Sequence, residues 1–265
     1  MIIDAHAHIF PEKIAEKASV NIGKFYDIDM HFNGTVDTMI EKGARCGVTR
    51  FLVHSVATTP EQVDKINAFI VAQVRRLPDQ LIGFATLHPD SDQIERQVDW
   101  AIAHGLRGIK LHPDFQKFYL DSERAMHIFR TIEGRLPVLI HTGDYRTEYS
   151  KPARLVRVLH ACPKLDVIAA HFGGWSEWES GALALATEDV YVDTSSSQYA
   201  LKPHQVRELI DIFGPDRVLF GSDYPMWDCK DELAMLAKIP MSEQEREMIY
   251  HRNLEKLLEK YAHTR

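Results

Sequence analysis

Short runs of consecutive apolar residues alternate along this chain with longer stretches in which apolar residues recur at helical spacing. The short runs are typical of buried parallel strands, and the longer stretches are typical of helices with one buried face. The predicted strands cover residues 2–8, 48–55, 81–88, 106–112, 137–142, 165–171, 190–195 and 217–223. The predicted helices cover roughly residues 35–46, 60–76, 91–104, 122–133, 151–161, 175–187, 203–213 and 228–238.

Eight strand–helix units within about 250 residues are typical of a parallel (β/α)8 barrel, the TIM barrel of the α/β class. The closest alternative is an open doubly wound sheet. Its dinucleotide-binding version is disfavoured because no GxGxxG follows the first strand, and the chain has no Walker A sequence either. No linker, internal repeat or low-complexity segment interrupts the pattern, so we expect one domain spanning residues 1–265.

Two segments lie outside the eight units. Ser242 and Glu245 have the spacing of a capping box and predict the start of an extra C-terminal helix. Apolar residues recur along that helix at Leu254, Leu257, Leu258 and Tyr261. We expect it to pack on the outside of the barrel, with a partner-binding helix as the alternative. The long segment 9–34 is expected to cover the barrel mouth or to form a subunit contact.

Half of the fourteen histidines lie at or near the C-terminal end of a predicted strand. They are His6, His8, His54, His88, His112, His141 and His171. Asp193 and Asp223 lie near the ends of the seventh and eighth strands. In a (β/α)8 barrel these strand ends converge on one mouth, where active sites are built. The placement therefore predicts a cluster of imidazoles and carboxylates.

The first strand carries two of these histidines in the sequence HAH. Because side chains alternate with a period of two, His6 and His8 are expected to point to the same side. The same rule places Asp4 on that face and turns Ala5 and Ala7 toward the helices.

Neutral imidazole nitrogens and carboxylate oxygens are the ligands that Zn²⁺ and related divalent ions prefer. Burying the HxH pair with His141, His171 and Asp223 unpaired would cost about 1–3 kcal/mol for each group. A shared cation removes that cost, so the pattern predicts a metal site. A single strand-end histidine, such as His54 or His88, is instead expected to be a hydrogen-bonded core residue.

Composition excludes several other classes of protein. The net charge is -7, from 31 Lys and Arg against 38 Asp and Glu, which disfavours a nucleic-acid or anionic-membrane binder. No apolar run approaches the ~18 residues of a membrane span, and the N-terminus lacks the pattern of a signal peptide. Cys46, Cys162 and Cys229 lie far apart along the chain without a CxxC, so we expect core-filling thiols in a reducing compartment. These features predict a cytoplasmic protein with a small-molecule substrate.

Several motifs resemble one family. They are IDAHAHIF at 3–10, GIKLHP at 108–113, LIHTGD at 139–144, AHFGG at 170–174, LFGSDYP at 219–225 and RNLEKLL at 252–258. Together they resemble the amidohydrolase superfamily, and within it the amidohydrolase-related branch. That branch includes decarboxylases similar to aminocarboxymuconate-semialdehyde decarboxylase. The resemblance covers essentially the whole chain and implies a metal-dependent enzyme on a TIM barrel.

The resemblance implies a set of metal ligands. One divalent ion would be held by His6, His8, His141 and Asp223, with Zn²⁺ as the expected ion and Mn²⁺ as the alternative. His171 would join a second metal or act on the substrate.

The resemblance leaves two roles open for Lys110. Binuclear members of the superfamily can carboxylate a strand-four lysine to bridge two metals, and Lys110 lies on predicted strand four beside His112. Lys110 would otherwise bind an anionic part of the substrate. We expect a mononuclear site.

The expected reaction is hydrolysis of an amide, lactone or ester by water that the metal activates. Asp223 would take the proton from that water and deliver it to the leaving group, while His171 would polarise the carbonyl. The alternative is non-oxidative decarboxylation of an unsaturated or aromatic acid. A non-catalytic binding protein is disfavoured because no expected group is missing, and a serine hydrolase because no GxSxG is present.

Substrate binding is assigned to Lys110, His112, Arg146 and Trp175. An aromatic set would suit a planar substrate or would simply roof the barrel mouth; its members are Trp175, Trp178, Tyr224 and Trp227. The sequence leaves oligomeric state open, with a homo-oligomer as one possibility.

Overall fold

The computed structural model describes residues 1–262, and its strands follow one another in parallel around a ring. The strands are β1 Ile3–His8, β2 Arg50–His54, β3 Leu81–Gly83, β4 Ala85–Thr86, β5 Ile109–Leu111, β6 Val138–Ile140, β7 Val167–Ala169, β8 Tyr191–Asp193 and β9 Val218–Leu219. Each of them lies within a predicted strand, although most are shorter than predicted.

The third predicted strand is broken at Phe84 into β3 and β4. The Phe84 N–H donates to the carbonyl of Val53 over 2.9 Å, while the N–H of Ala85 donates to the carbonyl of Gly108 over 2.8 Å. Strand β3 therefore pairs with β2, and β4 pairs with β5, so the ring of strands continues across the break. The phenyl group of Phe84 packs against Gly108. A Cβ atom at Gly108 would lie 2.4 Å from atoms of the phenyl group, so only glycine fits there.

The ring closes between its first and last strands. The Ala5 N–H donates to the Phe220 carbonyl over 2.8 Å, and the Asp223 N–H donates to the His6 carbonyl over 2.9 Å. A parallel bridge pairs Ala7 with Tyr224. These contacts confirm the predicted (β/α)8 barrel.

The helices surround this ring. They are α1 Glu12–Tyr26, α2 Val36–Cys46, α3 Val63–Arg76, α4 Ile94–Ala103, α5 Pro113–Gln116, α6 Glu123–Ile132, α7 Pro152–Ala161, α8 Trp178–Leu185, α9 Pro203–Phe213, α10 Cys229–Leu236, α11 Glu243–Glu247 and α12 Asn253–Glu259. The eight predicted helices correspond to α2, α3, α4 and α6 to α10. No helix within residues 1–262 is both long and apolar enough to cross a lipid bilayer.

Two hydrophobic clusters form the core. The larger one packs the outer faces of the strands against the helices. The smaller one fills the inside of the barrel with residues such as Ile3, Leu52 and Phe84. Ala7 lies in the outer cluster, as expected, but Ala5 lies in the inner one.

The predicted orientation of Asp4 and Ala5 is therefore wrong. The pairing of β1 with β2 shifts register between Asp4 and Ala7, so strict alternation fails there. The Asp4 carboxylate instead accepts hydrogen bonds from the backbone N–H groups of Ser222, over 3.0 Å, and His6, over 3.1 Å. It joins the first strand to the segment after the last one.

The C-terminal helix begins as predicted. The Ser242 and Glu245 side chains form the reciprocal capping box. A π-helical turn, Met248–Arg252, leads from α11 into α12.

The predicted position of this helix outside the barrel is wrong. Its apolar residues Leu254, Leu257, Leu258 and Tyr261 belong to the inner cluster. They close the end of the barrel at which the strands begin, where the inner side chains would otherwise meet water.

The first helix, α1, was not predicted. Its buried residues are Ala15, Ser19 and Gly23, which are small or polar and leave no stripe of large apolar side chains in the sequence. The helix lies over the barrel mouth and contributes Ile22 and Tyr26 to the cavity there. This is the covering role expected of segment 9–34.

Candidate metal centre and active site

Asp223 lies between the two histidines of the first strand. Its Oδ1 is 3.4 Å from Nε2 of His6 and 3.4 Å from Nε2 of His8. Its Oδ2 accepts a hydrogen bond of 2.5 Å from the Ser196 hydroxyl. The backbone of Asp223 has a φ of 61°, in the left-handed region that non-glycine residues seldom occupy. Such a conformation is typical of a position where the surrounding structure fixes a functional side chain.

His6 is oriented from behind by Asp193, the last residue of β8. Nδ1 of His6 lies 2.9 Å from Asp193 Oδ2 and 3.1 Å from the Ser195 hydroxyl. A carboxylate can only accept a hydrogen bond, so Nδ1 carries the proton and Nε2 presents a lone pair toward Asp223. Carboxylates in this position fix the ring orientation of metal-binding histidines.

His141 and His171 form the opposite side of the cluster. Nδ1 of His141 lies 3.0 Å from Nε2 of His171, and the rings of His171 and His6 stack with centroids 5.1 Å apart. Nδ1 of His171 lies 3.0 Å from the Ser195 carbonyl, which can only accept. His171 therefore carries its proton on Nδ1, and its Nε2 faces His141 as an acceptor.

Burial and neighbouring charges keep these groups in the states that bind a cation. Burial lowers the pKa of His6 to about 4, so its imidazole is neutral at pH 7. Burial alone would raise the pKa of the Asp223 carboxyl, but the nearby imidazoles of His6 and His8 hold it well below its ordinary value. A neutral imidazole pair next to an ionised carboxylate is the donor set that divalent first-row metals prefer.

The distances within the cluster also fit such an ion. Zn²⁺ lies 2.0–2.1 Å from its nitrogen ligands, so two ligands of a tetrahedral site are about 3.4 Å apart. Asp223 keeps this separation from both His6 and His8. Among the described residues, three groups of donor atoms could also hold an ion: His6 with His8 and His54, His6 with His171 and Asp193, and His112 with Asp114 and His141.

Lys110 lies at the base of the cluster and is fully buried. Its Nζ is 3.0 Å from Nε2 of His6. Burial lowers the pKa of Lys110 to about 8, so the amine is still largely charged at pH 7. The Lys110 ammonium group donates to the lone pair on Nε2 of His6. A metal ion would bind the same lone pair, so Lys110 and the metal compete for His6.

The cluster opens into a cavity at the mouth of the barrel. Its walls are formed by His6, His8, Ile22, Tyr26, Met30, His112, Phe115, His141, His171, Asp223, Pro225 and Met226. The four predicted metal ligands, together with His171, therefore face one space. One wall is polar and the other is apolar, and no lysine or arginine is among the described lining residues.

Tyr26 connects the covering helix to the polar wall. Its hydroxyl lies 2.8 Å from Nε2 of His112, and the ring of His112 stacks on that of His141 at 4.0 Å. Tyr26 is not among the predicted site residues, because nothing in the sequence pattern around it indicates that α1 reaches the site. His112, assigned to substrate binding, does line the cavity.

Arg146 and Trp175, also assigned to substrate binding, lie behind Tyr26 and do not line the cavity. Arg146 makes a paired interaction with the Asp144 carboxylate and lies 5.1 Å from the Tyr26 ring centroid. Trp175 packs edge-on against Tyr26 at 4.8 Å. A direct substrate contact by either residue stays a prediction.

The other members of the aromatic set donate hydrogen bonds to residues around the barrel mouth. Trp227 Nε1 donates to Ser196, and Tyr224 donates its hydroxyl to the Thr35 carbonyl, each over 2.8 Å. Trp178 donates its Nε1 proton to the Ser197 hydroxyl over 3.0 Å. None of the three lines the cavity. Their arrangement supports the alternative in which aromatic residues roof the mouth.

His54 differs from its prediction. Neither of its ring nitrogens has a hydrogen-bond partner, although the side chain is fully buried. Its ring packs edge-on against His8 with centroids 4.4 Å apart. His88, in contrast, accepts a hydrogen bond from the backbone of Asp90 over 3.2 Å, as expected of a structural histidine. His54 therefore belongs to the polar cluster, not to the hydrogen-bonded core.

Comparisons with known proteins agree with this fold. The family model described as Amidohydrolase matches residues 3–260. No curated protein matches the sequence. Among solved structures, an uncharacterized TIM-barrel protein from Bordetella bronchiseptica is 20% identical, with a TM-score of 0.79 and coverage of 98% of this chain and 99% of that one.

Two further structures carry enzyme names. Dihydroxybenzoic acid decarboxylase from Polaromonas sp. JS666, solved with bound manganese and 2-nitroresorcinol, is 16% identical with a TM-score of 0.76, covering 97% of this chain and 96% of that one. A probable 2-pyrone-4,6-dicarboxylic acid hydrolase from Acinetobacter baumannii, with citric acid bound, is 19% identical with a TM-score of 0.71. That alignment covers 97% of this chain and 99% of the other.

At these identities the structural likenesses establish the fold, while the family model spans nearly the whole sequence. The chain therefore belongs to the amidohydrolase family of metal-dependent enzymes.

Proposed function

We propose that this protein hydrolyses an amide, lactone or ester of a small molecule, with one divalent ion held by His6, His8, His141 and Asp223. The observation that carries the proposal is the position of Asp223, whose Oδ1 lies 3.4 Å from both His6 and His8. When bound, such an ion acts as a Lewis acid and lowers the pKa of water from 15.7 to about 7.

Asp223 is suited to move the proton in this reaction. Its Oδ2 is fixed by Ser196, which in turn accepts a hydrogen bond of 2.8 Å from Trp227. Because the pKa of the carboxyl is held low, Asp223 is ionised at neutral pH and its oxygens are free to receive a proton. It would accept the proton that the attacking water loses and return it to the leaving oxygen or nitrogen.

His171 fits a ligand or a proton acceptor better than a donor to the substrate carbonyl. Its Nδ1 proton is directed at Ser195, so Nε2 cannot donate while the ring is neutral. Burial lowers the pKa of His171, which favours that neutral form. The carbonyl-polarising role expected from the sequence would require His171 to be protonated first.

The cavity favours a compact substrate without a strong negative charge. Its apolar wall is built from side chains such as Met30, Phe115 and Met226, and no described lining residue carries a fixed positive charge. The guanidinium of Arg146 is already paired with Asp144. A substrate carboxylate would therefore have to be balanced by the metal or by Lys110.

Decarboxylation is the second candidate, and two observations favour it. Solved proteins with this fold include a dihydroxybenzoic acid decarboxylase. The charged amine of Lys110, 3.0 Å from His6, supplies a cation that could balance an acidic substrate. In that reaction carbon dioxide leaves, and a proton takes its place on carbon, delivered by water or by His171 after His171 itself has been protonated.

The ion is proposed to be Zn²⁺, in one equivalent, with Mn²⁺ as the alternative because the Polaromonas structure contains manganese. We propose a mononuclear site, in which Lys110 acts as an uncarboxylated amine. The cytoplasmic location and the question of a homo-oligomer stay at the level of prediction.

Product mass distinguishes the two reactions. The metal-loaded protein would be incubated with neutral lactones and esters, with carboxylated lactones, and with aromatic acids. Hydrolysis adds one water to the substrate, whereas decarboxylation removes one carbon dioxide. We expect water addition to neutral substrates, abolished in Asp223→Asn and retained in Asp29→Asn, which changes an exposed aspartate.

Release of carbon dioxide from the acids, without hydrolysis of any lactone or ester, would replace the proposal with the decarboxylase alternative. Equal turnover by wild type and Asp223→Asn would remove Asp223 from the reaction.

A further inference from the structure

Two cysteines that are distant in sequence meet where α2 packs against α10. Cys46 is the last residue of α2, and Cys229 is the first residue of α10. Their Sγ atoms lie 3.2 Å apart. A disulfide has an S–S length of 2.03–2.05 Å, so the two sulfurs need to approach by about 1.2 Å. The sequence expectation of separate, core-filling thiols does not hold for this pair.

The two thiols have different surroundings. Cys46 is partly exposed at the end of its helix, whereas Cys229 is buried. Burial, together with the carboxylate of Asp4, raises the pKa of the Cys229 thiol. An oxidant in solution therefore meets Cys46 first, and Cys229 is placed to react second.

We propose that Cys46 and Cys229 are a modification site at which a low-molecular-weight disulfide, such as oxidised glutathione, introduces one reversible intramolecular disulfide. The Cys46 thiolate attacks one sulfur of the small disulfide, forms a mixed disulfide and releases the first small thiol. The Cys229 thiol loses its proton and attacks Sγ of Cys46, which releases the second small thiol. Two protein thiols are oxidised to one disulfide, and one small disulfide is reduced to two thiols.

The cross-link would tie α2 to the segment that leads out of the active site. Met226, three residues before Cys229, lines the cavity. Its carbonyl accepts a hydrogen bond of 3.3 Å from the backbone of His31, and the Pro225 carbonyl accepts one of 3.1 Å from Phe32. The segment after α1 therefore docks on the same stretch of chain.

The disulfide is also expected to stabilise the fold. The two cysteines are 183 positions apart, so a bond between them constrains a long loop of the unfolded chain. Oxidised protein should therefore unfold at a temperature several degrees above that of reduced protein.

The test uses the folded, full-length protein, reduced, desalted and then incubated with oxidised glutathione. Remaining thiols are alkylated, and the protein is digested with trypsin without reductant. We expect one alkylated cysteine, Cys162, and a linked pair of peptides, CGVTR (46–50) with VLFGSDYPMWDCK (218–230). Dithiothreitol should restore all three thiols.

Three variants serve as controls. Cys162→Ser should still form the linked peptides. Cys229→Ser should stop at a glutathione adduct on Cys46, and neither it nor Cys46→Ser should show the rise in unfolding temperature on oxidation. Three alkylated thiols in the treated wild type, a stable adduct on Cys46 without linked peptides, or a link that includes Cys162 would overturn the proposal.

Discussion

Asp223 combines two tasks that a single substitution can separate. An asparagine keeps the shape of the side chain and one oxygen next to His6 and His8, but it cannot accept a proton. We therefore expect Asp223→Asn to retain most of its bound metal while kcat falls by about 10²–10⁴-fold. Elemental analysis and steady-state kinetics on the same preparation measure both quantities. A variant with near-normal kcat would show that the proton moves by another route.

The sequence placed individual residues well where a local rule decided their direction. The period of two put His6 and His8 on one face of β1, and both lie beside Asp223. The same rule failed for Ala5, because a register shift within β1 depends on pairing with β2. The sequence also could not predict that His54 lacks hydrogen-bond partners, because that depends on which residues surround it in the folded protein.

Helix α1 is expected to control substrate access through Tyr26. Tyr26→Phe removes the hydroxyl that lies 2.8 Å from His112 and leaves the ring packed against Trp175. A hydrogen bond of this kind contributes about 0.5–1.5 kcal/mol, so KM should rise by about 2- to 10-fold while the fold is unchanged. Steady-state kinetics with the identified substrate measures this change. An unaltered KM and kcat would mean that Tyr26 does not help to hold the mouth closed.

Helix α10 carries a buried acid that should make stability depend on pH. Burial raises the pKa of Glu232 to about 8, and its Oε2 accepts a hydrogen bond of 2.7 Å from Gln198. Between the ordinary pKa of 4.5 and this value, the folded protein keeps a proton that the unfolded chain loses. The free energy of unfolding therefore falls as pH rises through that window.

Glu232→Gln should remove this dependence. At about 1.4 kcal/mol per pH unit, the variant should gain about 2.5 kcal/mol relative to wild type between pH 5 and pH 7. Urea unfolding at the two pH values measures the difference, with the exposed Glu259→Gln as control. A constant difference between variant and wild type would show that Glu232 is ionised in the folded protein.

The elements that the sequence predicted are those with a strong period. Helix α2, for example, buries Val36, Met39 and Gly43 at helical spacing and is capped after Cys46 by Gly47, whose φ of 85° suits a glycine. Helix α1 was missed because its buried face is made of Ala15, Ser19 and Gly23. A hydrophobic pattern cannot reveal a helix that approaches its neighbours through small residues.

In the whole molecule, the residues of the active site and those of α12 that stabilise the fold lie at opposite ends of the barrel. The strands end at the metal cluster, and their beginnings are closed by α12. The sequence predicted this last helix but not its position, because whether Leu257 faces the barrel interior or its outer helices is decided by the tertiary fold.

A substitution in α12 tests this separation. Leu257→Ala should lower the free energy of unfolding by about 2–5 kcal/mol, because Leu257 is fully buried. The active-site metal and the kcat of folded protein should be unchanged. Leu183→Ala is a matched control at a leucine that is 88% exposed, and its stability should stay near that of wild type. Denaturant unfolding measures both, and equal stability of the two variants would contradict the role of α12.

Anomalous scattering from a crystal grown with Zn²⁺ or Mn²⁺ examines the proposed metal centre most directly. We predict one strong peak per chain, about 2.0–2.2 Å from Nε2 of His6, Nε2 of His8, a ring nitrogen of His141 and an oxygen of Asp223. The absence of any peak in this cluster, or a peak bound only by other residues such as His112 and Asp114, would contradict this prediction.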